Sequence, residues 1–381
     1  NAGWGHGDEL LREVALRLGA LMRPGDTVAR LGGDEFVLVL ERLTGVDEAE
    51  RFVQAVQACL RPPIKLGQDE QAYTQASLGL IRFEDAEGEA ELLLRKLEVA
   101  LFEAKRGGGN TWRRFAPAMG EQARQRMQLE QRLRLALQEQ QFSLVYQPLV
   151  EVASGRMVGL EALVRLNQPG LPPVGPDQFI PILEQTGLIN QLGDWVTLEA
   201  CLQARRWLDR GWDFGSVAVN LSPSEVGRYP VEARVRRALE HSGLPPERLE
   251  LEITESGLME QGERAEVFLR ELHGLGVKLA IDDFGTGYSS LASLKRFPVH
   301  KLKIDRSFIT DIETDTSDAF LVEAVIDLGR KLRIQVLAEG VETERQRDFL
   351  RARGCALAQG YLFSKPLPPD ALFERYGKHS P

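Results

Sequence analysis

Polar residues stand within or at the ends of short apolar runs in the last two-thirds of this 381-residue sequence. The runs are rich in Val, Leu and Ile, which is typical of buried strands. A charged residue in such a run needs a specific reason to be there. The residues of this set are Glu161, Asn220, Glu252, Asp282, Asp283, Lys303, Asp305, Glu339 and Gln359.

The charge of this set indicates metal chemistry. An ionised carboxylate that faces a protein core costs several kcal/mol unless it is paired, hydrogen-bonded or bound to metal. Lys303 and Arg165 are too few to neutralise five or six carboxylates. Oxygen ligands without His or Cys nearby favour Mg²⁺ or Mn²⁺ over zinc. The adjacent Asp282 and Asp283 suit two such ions about 3.5–4 Å apart, an arrangement that hydrolyses phosphodiesters.

Any one of these carboxylates, taken alone, is more often a helix cap or an ion-pair partner than a metal ligand. The metal interpretation therefore depends on the whole set. Gly285 and Gly287 follow the aspartate pair, and they predict a glycine-hinged loop beside the ligands.

Strand-like and helix-like segments alternate from Phe142 to the end of the chain, with amphipathic runs such as Arg264–Leu275 and Ala319–Leu332 between the strands. About eight βα units predict an α/β fold with a closed, parallel, TIM-like barrel, whose active site lies at the carboxyl ends of its strands. An open doubly wound sheet is the alternative, since periodicity does not give strand order. The candidate strands are Leu144–Pro148, Val158–Leu166, Val217–Leu221, Leu249–Thr254, Leu279–Phe284, Leu302–Asp305, Gln335–Gly340 and Ala356–Tyr361.

Residues 1–116 predict a separate α/β domain, which we expect to be incomplete at its N-terminus. Its pattern gives a helix, a hairpin interrupted by two glycines, a strand, a helix and a glycine cluster. Residues 117–141 predict a linking helix, either a surface helix or a short coiled-coil dimer arm. The barrel then occupies residues 142–381. The elements of the first domain are Leu10–Leu21, Val28–Leu40, Ser77–Phe83, Glu89–Lys105 and Gly107–Gly109.

Composition limits the partners of the chain. The net charge of −9 argues against capture of a nucleic-acid polymer, so a phosphate ligand must be held locally. Three widely spaced cysteines predict reduced thiols. Neither a long apolar segment nor a signal-like start is present, so we expect a cytoplasmic location with no membrane span in this segment.

The second domain resembles the EAL-domain cyclic di-GMP phosphodiesterases, from about Gln128 to Tyr376. The name-giving motif is at Glu161–Leu163 and is followed by Arg165, and the specific loop DDFGTGYSS is at Asp282–Ser290. Leu166, Asn167 and Gln168 depart from the Trp and His that often follow this arginine. Supporting motifs are FIP at Phe179–Pro181, TGLI at Thr186–Ile189, VNLS at Val219–Ser222, LEITES at Leu251–Ser256, KLKID at Lys301–Asp305, AEGVE at Ala338–Glu342 and QGYLFSKP at Gln359–Pro366.

The resemblance implies a role for each matched residue. Two divalent cations, Mg²⁺ or Mn²⁺, would be held by Glu161, Asn220, Glu252, Asp282, Asp283 and Glu339. Glu339 could instead act as general base, Lys303 would orient the attacking water, and Glu255 would brace the Asp282–Ser290 loop. The substrate-binding residues would be Arg165, Gln359 and Asp305.

The first domain resembles the GGDEF family of diguanylate cyclases. Gly32, Gly33, Asp34 and Glu35 with Phe36 match the name-giving motif, and Arg23 and Asp26 resemble the RxxD inhibitory site for cyclic di-GMP. Gly109 stands where the family usually has arginine, and Asn1 and Asp8 resemble the guanine-contacting pair at a shorter spacing. The resemblance therefore implies a regulatory domain that binds GTP or cyclic di-GMP and does not make product.

Three functional hypotheses follow for a GGDEF–EAL tandem. The first is hydrolysis of cyclic di-GMP to linear 5′-pGpG, favoured because every expected site residue is present. The second is a receptor that binds cyclic di-GMP without cutting it, and the third is a bifunctional cyclase and phosphodiesterase in the full-length protein. A homodimer is expected for each.

Overall fold

The computed structural model describes residues 4–41, 43, 45–66, 70–82, 90–106, 109–227, 229–287 and 294–379. The chain divides into two compact units, Asn1–Gln128 and Leu129–Pro381. The domain boundaries expected from the sequence stay a prediction. Expected features that lie outside the described residues are Asn1, Phe83, Glu89, Gly107, Gly108 and Tyr288–Ser290.

The described residues of the first unit form three small two-stranded sheets and amphipathic helices. Buried Leu18, Val56 and Leu60 form its core cluster. The hairpin predicted at Val28–Leu40 is confirmed, and Gly33 adopts a φ of 53° in its turn, which glycine tolerates best. The elements are α1 Trp4–Gly19, β1 Thr27–Gly32, β2 Glu35–Val39, α2 Val46–Leu60, β3 Ile64–Leu66, β4 Glu70–Ala72, β5 Leu78–Leu80, α3 Ala90–Arg106 and β6 Trp112–Arg114.

The sequence pattern missed half of the strands in this unit. The pairs β3–β4 and β1–β2 are antiparallel, and β5 pairs in parallel with β6. Strands β3, β4 and β6 are only three residues long, so they carry no clear period of two. A helix, α4 Pro117–Gln138, lies within the predicted linker at residues 117–141, and its linking role stays a prediction.

The second unit is a closed eight-stranded barrel, so the open-sheet alternative is wrong. Six strand pairings are parallel and place the carboxyl ends of the strands at one mouth. The last strand is two residues long, much shorter than the predicted Ala356–Tyr361. The strands are β7 Phe142–Glu151, β8 Met157–Leu166, β9 Ser216–Leu221, β10 Leu249–Thr254, β11 Lys278–Phe284, β12 Lys301–Ile304, β13 Gln335–Ala338 and β14 Leu357–Ala358.

The prediction of an all-parallel sheet is wrong at one strand. β7 runs antiparallel to both β8 and β14. Only residues 152–156 join β7 to β8, which is a hairpin connection, whereas a parallel pair needs a crossover of a dozen or more residues. The sheet closes all the same, because β14 pairs with the free edge of β7.

Helices surround the barrel and bury its outer surface in one continuous core. Trp207, Trp212 and Phe214 pack edge-to-face within this core, with ring centroids 5.2–6.0 Å apart. The helices are α5 Pro176–Thr186, α6 Ile189–Asp209, α7 Val231–Ser242, α8 Glu255–Met259, α9 Glu263–His273, α10 Arg306–Thr310, α11 Thr316–Leu332, α12 Glu344–Ala352 and α13 Pro369–Tyr376.

Candidate metal centre

Seven neighbouring strands of the barrel place one polar side chain each in the same region, five of them on the strand and two, Glu339 and Gln359, directly after it. Register places Glu252 of β10 beside Asn220 of β9, and Asp282 of β11 pairs with Thr254, two positions beyond Glu252 on β10. The sequence therefore identified residues that the fold brings together. The seven residues, in strand order from β8 to β14, are Glu161, Asn220, Glu252, Asp282, Lys303, Glu339 and Gln359.

Lys303 lies at the centre of this cluster and is completely buried. Its Nζ is 2.6 Å from Glu252 Oε2 and 2.7 Å from Glu339 Oε1. It also lies 3.3 Å from Asp282 Oδ1 and 3.6 Å from Glu161 Oε2. One ammonium group therefore faces four carboxylates. The cluster has an excess of negative charge that bound cations would neutralise.

Amide side chains hold Glu161 in place. Asn220 Nδ2 donates to Glu161 Oε1 at 2.8 Å, and Gln359 Nε2 donates to Glu161 Oε2 at 2.8 Å. Gln359 Nε2 also donates to Gln147 Oε1 at 3.0 Å. Sequence reasoning missed Gln147, although a glutamine in the apolar run LVYQPLV was a usable signal.

The cluster shifts the pKa values of its deeply buried acids in opposite directions. Burial raises the pKa of Glu252, and the neighbouring carboxylates raise it further against the attraction of Lys303. Burial also acts to raise the pKa of Glu161. Lys303 and the hydrogen bonds from Gln359 and Asn220 outweigh that effect, so the Glu161 pKa is lowered.

Two acids at the mouth have pKa values near neutrality. Burial and the charge of Asp282 raise the pKa of Asp283 to about 6, with a further contribution from Asp305. Burial raises the pKa of Glu339 to about 8, although Lys303 opposes the shift. Without added cations, the site therefore holds protons at pH 7.

The donor set fits hard divalent cations. Carboxylate oxygens of Asp282, Asp283 and Glu339 lie within 4.8 Å of one another. Glu252 Oε1 and Gln359 Oε1 are buried without a hydrogen-bond partner in the described residues. A bound Mg²⁺ or Mn²⁺ would give these unpartnered oxygens a partner and would neutralise the excess negative charge.

The loop after the aspartate pair is attached to the site by Glu255. Glu255 Oε2 accepts hydrogen bonds from the backbone N–H groups of Gly285 at 2.8 Å and Gly287 at 3.4 Å. Gly285 has a φ of 104°, so glycine is needed there. The bracing role expected for Glu255 stays a prediction.

Two expected substrate-binding residues have local partners. Arg165 Nη1 donates to the carbonyl oxygen of its neighbour Val164 at 2.8 Å. Asp305 caps α10, because its Oδ1 accepts from the backbone N–H of Ser307 at 3.0 Å. Their substrate roles stay predictions.

Known families match both parts of the chain. The EAL domain family matches residues 130–366, and the diguanylate cyclase GGDEF domain family matches residues 1–111. The chain belongs to the EAL domain family. The expected GGDEF–EAL order is thereby confirmed.

Two relatives of this GGDEF–EAL chain are named as cyclic di-GMP phosphodiesterases. MucR of Pseudomonas aeruginosa, a bifunctional diguanylate cyclase/cyclic di-GMP phosphodiesterase, is 42% identical over 98% of this chain and 54% of its own length. The cyclic di-GMP phosphodiesterase NbdA of the same organism is 43% identical over 98% of this chain and 48% of its own. The chain thus spans about half the length of these relatives.

A solved structure supports the EAL assignment independently. The PaMucR phosphodiesterase in complex with c-di-GMP is 46% identical and has a TM-score of 0.63. The match covers 64% of this chain and 99% of that structure. None of the described helices of our chain combines the length and apolar character needed to cross a lipid bilayer.

In the GGDEF unit, the name-giving motif lies at the β1–β2 turn. Arg30 Nη2 donates to the carbonyl oxygen of Gly33 at 2.7 Å, which stabilises the turn that carries Asp34. Glu35 lies 4.0 Å from Lys105. A cavity of about 340 Å³ beside the hairpin is lined by Asp8, Leu11, Arg12, Ala15, Val28, Ala29, Arg30 and Phe36.

The expected inhibitory pair, Arg23 and Asp26, also lies on the surface of this unit. Arg23 Nη1 pairs with Glu48 Oε1 at 2.8 Å. Asp26 accepts hydrogen bonds from the backbone N–H groups of Arg23 and Glu41, which lower its pKa. Both side chains are therefore held by protein partners, and a nucleotide would compete with those contacts.

Proposed function

We propose that the EAL domain hydrolyses cyclic di-GMP to linear 5′-pGpG with two divalent cations, Mg²⁺ or Mn²⁺. The observation that carries the proposal is the convergence of four carboxylates, two amides and Lys303 on or directly after seven neighbouring strands. The names of MucR and NbdA and the c-di-GMP complex of PaMucR support the choice of substrate.

The cations would be held by Glu161, Asn220, Glu252, Asp282, Asp283 and Glu339. When bound, they supply positive charge that polarises the phosphodiester and makes attack by water easier. Lys303 would orient the attacking water and would stabilise negative charge that develops on the phosphate. The pairs that Lys303 makes with four acids support this role.

Glu339 would be the general base that takes the proton from the attacking water, or it would complete the second metal site. Its carboxylate oxygens lie within 4.8 Å of those of Asp282 and Asp283, so Glu339 would be close to a water molecule held at the cation site. Arg165 would contact a substrate phosphate, and Gln359 and Asp305 would contribute hydrogen bonds to the bound substrate.

Product analysis tests the activity directly. The chain is incubated with cyclic di-GMP and Mn²⁺, with EDTA as the control, and the nucleotides are separated by chromatography. We expect 5′-pGpG with Mn²⁺ and intact substrate with EDTA. Binding of cyclic di-GMP without any cleavage in Mn²⁺ would contradict the proposal and would establish a receptor instead.

Cyclase activity is the second candidate, because the name of MucR includes it. We expect no cyclic di-GMP from GTP and Mg²⁺, since Gly109 stands where the GGDEF family usually has arginine. Formation of cyclic di-GMP in that incubation would establish a bifunctional enzyme.

We also propose that the GGDEF-like domain regulates the barrel by binding GTP or cyclic di-GMP, within a homodimer. The support comes from the last turns of α4, which belong to the second unit, Leu129–Pro381. Arg132 Nε donates to Gln168 Oε1 at 2.9 Å, and Gln168 lies three residues after Arg165. A shift of α4 would therefore act on the segment that follows the expected phosphate-binding residue.

A further inference from the structure

The chain turns sharply after the strand that carries Asn220. A short 3-10 helix, Pro223–Glu225, begins two residues after the end of β9. Ser222 caps this helix, since its hydroxyl oxygen accepts from the backbone N–H of Ser224 at 3.2 Å. The backbone N–H of Ser222 donates in return to Glu225 Oε2 at 3.0 Å. Glu225 therefore fixes the direction in which the chain leaves β9.

Glu225 is attached in turn to α7 by a buried ion pair. Arg234 Nη1 donates to Glu225 Oε1, and both side chains are only 2% exposed. Arg234 Nε lies 4.0 Å from Asp194 of α6. Burying two charges costs about as much free energy as their attraction returns, so stability alone is a weak explanation for such a pair.

A glycine in α6 leaves the space that this pair occupies. A Cβ atom at Gly193 would clash with the guanidinium of Arg234 and would lie 2.9 Å from Glu225 Oε1. Glycine is a poor helix former, and Gly193 lies inside a 21-residue helix. The local sequence is thus adapted to accommodate the pair rather than to strengthen the helix.

The same short helix also supports the aspartate loop. Pro223 packs against α8 so closely that a Cβ atom at Gly257 would lie 2.9 Å from the Pro223 Cβ. α8 begins at Glu255, whose carboxylate holds the backbone N–H of Gly285. Two parts of the candidate metal centre, Asn220 and this loop, therefore depend on the position of one 3-10 helix.

We propose that the Glu225–Arg234 pair positions Asn220, and through α8 the aspartate loop, for divalent-cation binding. Neither residue touches the centre itself, so both are positioning residues. The inference rests on the proposed function, because it takes Asn220 as a metal ligand. Substitution of a residue that holds a metal ligand in position commonly lowers metal affinity by about 10- to 100-fold.

The test is the affinity for Mn²⁺, measured by isothermal titration calorimetry on the full chain without substrate. Arg234→Met removes the cation at similar volume, and we expect the Kd for Mn²⁺ to rise about tenfold. Arg234→Lys restores a donor and a charge, and it should return the Kd to within about threefold of the wild-type value. This rescue separates positioning from simple loss of packing.

Val235→Ala is the matched control, because Val235 is the next residue of α7 and is fully buried. It should lower the melting temperature and leave the Kd for Mn²⁺ unchanged. If Arg234→Met does not fold, Gly193→Ala crowds the same pair and should raise the Kd.

Two results would overturn the proposal: an unchanged Kd in folded Arg234→Met, or an equal rise in Val235→Ala. Because the calorimetry needs no turnover, it also separates this inference from the proposed activity. A wild-type chain that binds Mn²⁺ but does not cleave cyclic di-GMP contradicts only the activity. A wild-type chain that binds no Mn²⁺ overturns both.

Discussion

Lys303 shares its single positive charge among four carboxylates, and this arrangement explains why the metal-free centre holds protons. Glu252 and Glu339 lie within 2.7 Å of its ammonium nitrogen, yet burial raises the pKa of both acids. The attraction of one cation is therefore smaller than the combined cost of burial and mutual repulsion. Divalent cations would replace these protons.

Substitutions at two of the acids should separate catalysis from metal binding. Glu339→Ala should reduce kcat about 10²- to 10⁴-fold, the usual contribution of a general base. Glu161→Ala should also raise the Kd for Mn²⁺, because Glu161 lies deeper and has two amide partners. Turnover and calorimetry on both variants check this. A wild-type rate in either one would refute its assigned role.

Stability of the metal-free chain should decrease as the pH rises. A carboxyl whose pKa is higher in the folded than in the unfolded chain binds more protons when folded, so raising the pH favours unfolding. For Glu339, the pH range over which stability is lost extends from about pH 4, the pKa of an unfolded glutamate, to its folded pKa of about 8. We expect the melting temperature in EDTA to fall across this range, and Mn²⁺ to restore it at pH 8.

Glu339→Gln is the control for this pH dependence. It keeps the shape of the side chain and removes the titrating group, so the decrease in melting temperature between pH 6 and pH 8 should become smaller. An unchanged slope would show that another group causes the effect.

At the scale of elements, the antiparallel β7 contributes to the centre. Its direction follows from the short hairpin to β8, and it places Gln147 where Gln359 donates to it. Gln147 Nε2 in turn donates to the carbonyl oxygen of Ser364 at 3.1 Å. The strand that breaks the parallel pattern therefore holds one of the amides that orient Glu161.

The end of α4 should influence substrate binding through Gln168. Arg132→Ala removes the hydrogen bond to Gln168, and we expect KM for cyclic di-GMP to rise about two- to tenfold, the equivalent of one hydrogen bond. The kcat should stay near its wild-type value. Arg134→Ala is the control, since Arg134 lies on the same helix and pairs with Glu130. Equal effects of the two substitutions would contradict the coupling.

At the scale of the whole molecule, the barrel has its own continuous core and should fold alone. We expect a chain that begins at Leu129 to keep Mn²⁺ affinity and turnover, and to lose any response to GTP. Rates with and without GTP, together with the mass in solution, check this for both lengths. Identical rates, metal affinity and oligomeric state for the two chain lengths would contradict the regulatory proposal.

Most residues of the centre, and the class of fold, can be read from the sequence alone. Apolar runs that end in Glu, Asp, Asn or Lys are a local signal, and the order of strands and helices is enough to indicate a barrel. The hairpin around Gly33 was likewise readable, because turn chemistry is encoded in adjacent residues.

The direction of β7, the central position of Lys303 and the Glu225–Arg234 pair depend on the three-dimensional fold. Strand direction depends on which edges meet when the sheet closes, and pKa values depend on burial and on charges from distant parts of the chain. Glu225 and Arg234 have unremarkable surroundings in the sequence. Their importance comes from contacts among α6, α7 and the end of β9, which no local pattern records.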